Sequence, residues 1–178
     1  PSKWRRERAI SPITEEDVYA ITLRAADLAT LRPDLADLRV VNDDHKQVPF
    51  LIDPDFADER VVLKIQRQET APVHRSLFSL GPEHVVPGDP APRVSRIEID
   101  VSDAFFERPA RIVHPTNQTQ REVPFSFTLS RKPPSLTPLV LGTSAPLDAM
   151  TLEVDDGDNA PLDIRSAVAI VRVPRIVF

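Results

Sequence analysis

The chain has no cysteine, so it carries no disulfide framework, no thiolate zinc site and no cysteine nucleophile. That absence is compatible with an oxidising compartment without requiring one. Glycine is almost as scarce, at four in 178 residues. Phosphate loops, dinucleotide fingerprints and the Gly-x-Ser-x-Gly elbow each need several glycines close together, and none is present. Trp4 is the one tryptophan. The longest aliphatic run, Ala167 to Val171, falls far short of the roughly 18 residues that cross a bilayer as a helix. A basic excess is missing too: the formal charge is -5, which argues against a nucleic-acid partner. Arg5, Arg6 and Arg8 cluster near the N-terminus, where a short charge run reads as a solvated end. The chain opens on Pro1 without an initiator methionine, which leads us to expect a processed or trimmed product, with any signal peptide or anchor outside it.

What is present is period two. Ser95-Arg96-Ile97-Glu98-Ile99-Asp100-Val101 alternates charged and β-branched residues, the mark of a strand with one wet and one buried face. Phe125, Phe127 and Leu129 alternate with Ser126, Thr128 and Ser130 in the same way. Val61 to Ile65, Ile164 to Val173 and the closing Arg175-Ile176-Val177-Phe178 are further runs. Breakers recur at Asn42-Asp43-Asp44, Asp53-Pro54, Gly81-Pro82, Pro115, Pro133-Pro134, Asp156-Gly157 and Pro174. Many short strands with regular punctuation predict an all-β, antiparallel sandwich or barrel with little helix. The alternation assigns Ile97, Ile99, Val101, Phe125, Phe127, Val168 and Ile170 to the inward face. Nineteen prolines accompany the four glycines, so either proline shapes the turns or glycine-rich loops are missing from the chain.

The N-terminal region is ambiguous. Thr14-Glu15-Glu16-Asp17 has the form of a capping box, and Val18, Ile21, Ala25 and Leu28 carry helical spacing. Tyr19, Ile21 and Leu23 alternate equally well, so the expectation is a strand over 17–24 followed by a helical turn over 25–37. The polar stretch from Gln66 to Val73 and the proline-rich stretch from Pro82 to Pro92 suggest a smaller N-terminal β unit over 1–70 and a sandwich over 75–178.

One segment gathers hard oxygen ligands. Asp155, Asp156, Asp158 and Asn159 surround Gly157, with Glu153 and Asp163 nearby, and this is the residue type and density that calcium takes. The spacing is not that of an EF-hand loop. Two readings stand: a calcium site, or a polar turn whose Asp and Asn side chains cap their own backbone. No other cofactor is expected. Glu107 beside Phe105-Phe106 is the least solvated glycosidase-type carboxylate, and pairing with Arg108 or Arg111 is the competing role. His45, His74, His84 and His114 match no local zinc motif. Arg39, Arg96, Arg108 and Arg111 can fork to carboxylates or sugar hydroxyls, or pair across strands. Asn117-Gln118-Thr119 fits the glycosylation acceptor pattern.

Trp4 to Ile10, Asp37-Leu38-Arg39-Val40-Val41-Asn42-Asp43-Asp44 and Val48-Pro49-Phe50-Leu51-Ile52 together resemble an opening shared by bacterial envelope proteins of unassigned function. Ile99-Asp100-Val101 with Phe105-Phe106-Glu107-Arg108 is similar to the phenylalanine-arginine strand of discoidin-like, galactose-binding-like sandwiches. Gly157-Asp158-Asn159-Ala160-Pro161-Leu162 and the terminal strand over 174–178 extend the resemblance. It implies a jelly-roll fold and a periplasmic or cell-surface location, and no established activity. The reading that results is a non-catalytic binding or interaction module of a cell-envelope protein, recognising a glycan or an envelope protein through loops at one end of the sandwich. The alternatives are a structural spacer of a membrane-anchored protein and a glycan hydrolase. No enzymatic activity, no nucleic-acid partner and no membrane span within the chain are expected.

Overall fold

The computed structural model describes residues 7–10, 17–32, 34–83, 91–114, 125–148 and 150–178. Trp4, the capping-box residues 14–16, His84 and Asn117 to Thr119 lie outside them. The described residues are strand almost throughout: β1 (Ala20–Thr22), β2 (Val40–Val41), β3 (Gln47–Val48), β4 (Leu51–Arg67), β5 (Arg75–Pro82), β6 (Val94–Val101), β7 (Phe106–Val113), β8 (Phe125–Arg131), β9 (Leu139–Gly142), β10 (Met150–Asp155) and β11 (Ile164–Val177). The one helix among them is α1 (Ala25–Leu28). The N-terminal ambiguity thus resolves into a short strand followed by a single helical turn.

Two compact units divide the chain, Pro1–Glu59 with Gly88–Pro90 and Arg172–Phe178 forming the first, Arg60–Pro87 with Ala91–Val171 the second. The polar stretch from Gln66 to Val73 covers most of the 68–74 connection from β4 to β5.

In the first unit β1 pairs antiparallel with the end of β11, Ile21 opposite Ile176. Tyr19 and Phe178 exchange both backbone hydrogen bonds, and their rings stack with centroids 6.5 Å apart. A small core of Leu23, Val40 and Ile176 forms there, against which Leu28, Leu38 and Phe50 pack. β2 and β3 form a hairpin closed by Asn42, whose side chain accepts the Lys46 N–H at 2.9 Å. His45 takes a positive φ of 59° in that turn.

The second unit is built on one antiparallel sheet in the order β8-β7-β10-β5-β4-β11-β6-β9. The pairing is nested: β4 lies beside β11, β5 beside β10, β6 beside β9 and β7 beside β8. The two outermost strands, β8 and β9, approach each other and nearly close the sheet on itself.

Alternation explains most of the core. Ile97, Ile99 and Val101 of β6, Met150, Leu152 and Val154 of β10 and Ile112 of β7 are buried. Three of the expected inward positions turn out differently. In β11 the register shifts between Ile164 and Ser166, so Arg165 is an extra residue that reverses the parity expected from Ile164 onward. Ala167 and Ala169 therefore lie opposite Ile99 and Ile97 and point inward, and Val168 is only half-buried. Ile170 and Val171 are both buried where a second shift, with Ser95 of β6 as the extra residue, interrupts the ladder. In β8 the inward column has the expected parity but is buried progressively: Phe125 is exposed, Phe127 half-buried and Leu129 buried. The next residue in that column is Arg131, buried at 4% exposure.

Candidate functional site

The registers bring four loops to one end of the second unit. Phe106 lies opposite Arg131, Val154 opposite both Ala110 and Ser76, and Ile164 opposite Val101. The connections 68–74, 102–105, 132–138 and 156–163 therefore leave the sheet on the same side. Nothing in the local sequence of any one loop specifies this; it follows from the nested pairing.

Side chains then fasten the loops to each other. Arg131 donates through Nη1 to the Val101 carbonyl and, at 3.4 Å, to the Asp103 carbonyl, and through Nη2 to the Thr137 carbonyl at 3.0 Å. Its guanidinium also lies 5.9 Å from the centroid of the Phe106 ring and 3.8 Å from Asp100 Oδ1. One buried cation thus ties β8 to the loops on either side of it. Asp103 Oδ2 accepts the Asp163 N–H at 2.9 Å, and Ser102 donates from its hydroxyl to the Asp163 carboxylate and from its backbone N–H to the Asp163 carbonyl. Those bonds join 102–105 to 156–163.

The third connection uses His74, at φ 65°. Its carbonyl accepts the Asp156 N–H at 2.8 Å. Nδ1 lies 2.8 Å from the Gly157 carbonyl, which can only accept, so Nδ1 carries the proton. Beneath it Ser76 Oγ–H donates to Asp156 Oδ2 at 2.6 Å, both residues being buried. Loop 68–74 is thereby joined to 156–163, and the four loops form one continuous hydrogen-bonded rim.

The calcium candidates do not converge as a set. Asp155 Oδ1 accepts the Gly157 N–H at 3.2 Å, Asp156 turns inward to Ser76, and Asn159 Nδ2 donates to the Asp156 carbonyl at 3.0 Å. The Asp158 side chain is 98% exposed, with Oδ1 3.4 Å from His74 Nδ1. Glu153 is committed elsewhere: its carboxylate takes Arg75 Nη1 at 2.5 Å, and Arg111 Nε at 2.7 Å and Nη2 at 2.6 Å. Among the described residues, no three carboxylate or imidazole groups are arranged to hold a metal ion. Gly157 sits at φ 56°, the left-handed conformation that lets the turn reverse within so few residues.

The remaining expected residues scatter. Glu107 is exposed, and Arg108 donates to its backbone carbonyl, while Arg111 pairs with Glu153 instead. His114 Nε2 meets Asp148 Oδ1 at 2.8 Å, at the far end of β7 from the rim. Arg39 donates to the Ala36 and Leu38 carbonyls, and Arg96 lies 3.5 Å from Glu98, which also receives Arg60 at 2.8 Å.

The rim also presents apolar side chains outward. Val73, Phe105 and Leu136 are 80%, 73% and 70% exposed, one on each of three loops. The nested pairing thus places three large apolar side chains in water at the same end of the unit. Phe105 stands among the residues singled out from sequence; Val73, Leu136 and Arg131 do not. A signal existed for two of them. Leu136 is an isolated apolar residue inside Pro133-Pro134-Ser135-Leu136-Thr137-Pro138, and Arg131 is a charge in an otherwise apolar column. No family model, curated protein or solved structure matches the chain. Function therefore rests on the geometry.

The first unit offers one cleft of about 350 Å³, lined by Thr22, Leu23, Arg24, Ala57, Asp58, Glu59 and Val173. Its most buried polar group is already used, since Glu59 Oε2 accepts the Ala25 N–H at 2.5 Å.

Proposed function

We propose that this chain is a non-catalytic binding module of a bacterial cell-envelope protein, periplasmic or surface-exposed, that engages its partner through the four-loop rim. The observation that carries the reading is the combination of three exposed apolar tips with a rim whose own hydrogen bonds hold it in place. A surface already ordered in the free protein loses little conformational entropy on binding.

The strand order supports a jelly-roll sandwich. Numbered along the chain from β4, the eight strands of the second unit pair first with eighth, second with seventh, third with sixth and fourth with fifth. A long antiparallel ribbon rolled up on itself has this order, and its loops emerge at two ends. The galactose-binding-like resemblance points the same way. A glycan reading has one specific support, the exposed face of Phe105 as a stacking platform for a sugar ring.

Fractionation of the source cells should recover the protein with the periplasm or envelope; recovery in the cytosol overturns that part. The purified protein should turn over neither polysaccharides nor generic esters and phosphates. Turnover that disappears in Glu107→Gln would replace the binding reading with a glycan hydrolase.

A further inference from the structure

We infer that the partner of the rim is a cationic polypeptide surface in which Lys or Arg flanks apolar pockets. The inference rests on the reading of the rim as the binding surface and goes one step further, to the chemistry of what binds.

The first support is charge. The segments 68–75, 102–105, 132–138 and 155–163 hold Glu69, Asp103, Asp155, Asp158 and Asp163 outside the core, against Lys132 and Arg75, the latter paired with Glu153. An end this acidic attracts a basic partner and speeds its approach. The same charge is repelled by the anionic surface of a bilayer, which disfavours insertion of the loops into lipid.

The second support is how those carboxylates are occupied. Asp103, Asp155 and Asp163 accept hydrogen bonds from backbone N–H or hydroxyl groups of the rim itself. Those bonds fix the carboxylates in place, and each retains its charge. A polypeptide needs apolar anchors and a complementary potential, and the rim has Val73, Phe105 and Leu136 for the first and its carboxylates for the second.

The test uses the full chain and three labelled dodecapeptides: one alternating Lys with Leu and Phe, one with Glu in place of Lys, and one with Ser in place of Leu and Phe. Fluorescence anisotropy should show binding of the first, weakening as salt rises, and binding about tenfold or more weaker for the other two. The double variant Phe105→Ser/Leu136→Ser should weaken the first peptide by about tenfold, and Asp158→Lys by roughly threefold. Val140→Ser removes an equally exposed apolar side chain from β9 and should change nothing. No binding of the first peptide up to about 1 mM overturns the inference. So does rim-dependent binding of galacto-oligosaccharides, or of phosphatidylcholine–phosphatidylglycerol vesicles, in place of the peptide; in those cases the rim survives as the binding surface. Peptide binding that Val140→Ser weakens as much as the double variant overturns both readings.

Discussion

Arg131 shows how one side chain can do what several turns would otherwise have to. It stands in an inward column after Phe125, Phe127 and Leu129, and a charge at such a position is costly unless its donors find acceptors. Here Nη1 and Nη2 find three carbonyls, one at the end of β6 and one on each of two loops, and the guanidinium meets the face of Phe106, while Nε has no partner among the described residues. Arg131→Met fills much of the volume but leaves the carbonyls of Val101, Asp103 and Thr137 short of a donor. At roughly 1 kcal/mol for each, the loss should be about 3 kcal/mol. Urea unfolding at constant m-value measures it, and a loss below about 1 kcal/mol would mean that water replaces the guanidinium at no cost. Arg131→Lys keeps the charge without the planar fork and should fall between the two.

At the scale of the strand, β11 departs from what alternation alone predicts. Period two makes Val168 and Ile170 equivalent, yet Val168 is half-buried while Ile170, beside the second register shift, is fully buried. Ile170→Ala should cost about 3 kcal/mol, in the range for emptying a fully buried site, whereas Val168→Ala should cost under about 1 kcal/mol. Equal costs would contradict that difference in burial. The face assignment of β6 was legible because Ile97, Ile99 and Val101 alternate with charged residues without interruption, and all three are buried. That of β8 was legible in parity only. How deeply Phe125 sits depends on what faces that end of the strand, which its own sequence does not contain.

At the scale of the molecule, the acidic turn acts as a fastener among loops, and this separates it from a cation site by experiment. Thermal melts in calcium and in chelator should coincide, and Asp158→Ala should leave the midpoint unchanged, because that side chain is almost wholly in water. A midpoint that rises with calcium, and rises no longer in Asp158→Ala, would install an ion at 153–163 by mass action. Phe105→Ser and Leu136→Ser should likewise leave the unfolding free energy within about 0.5 kcal/mol of the parent, since both side chains already face solvent. The rim can thus be altered for binding without altering the fold that carries it.

The sequence by itself determined the class of the protein, the positions of several strands, the inward face of the uninterrupted β6 and the Asp156-Gly157 reversal. Each of these is a local property: side chains alternate at fixed period, and a left-handed turn needs glycine at the residue that makes it. Tertiary structure decided that first pairs with last through four nested levels, that Val73, Phe105 and Leu136 therefore share one end, and that Arg131 and the Asp103–Asp163 contacts hold that end together. Period two says which face of a strand is buried and nothing about which strand lies beside it. Pairing is settled only when the whole ribbon closes over a common core, and the rim exists only as a product of that closure.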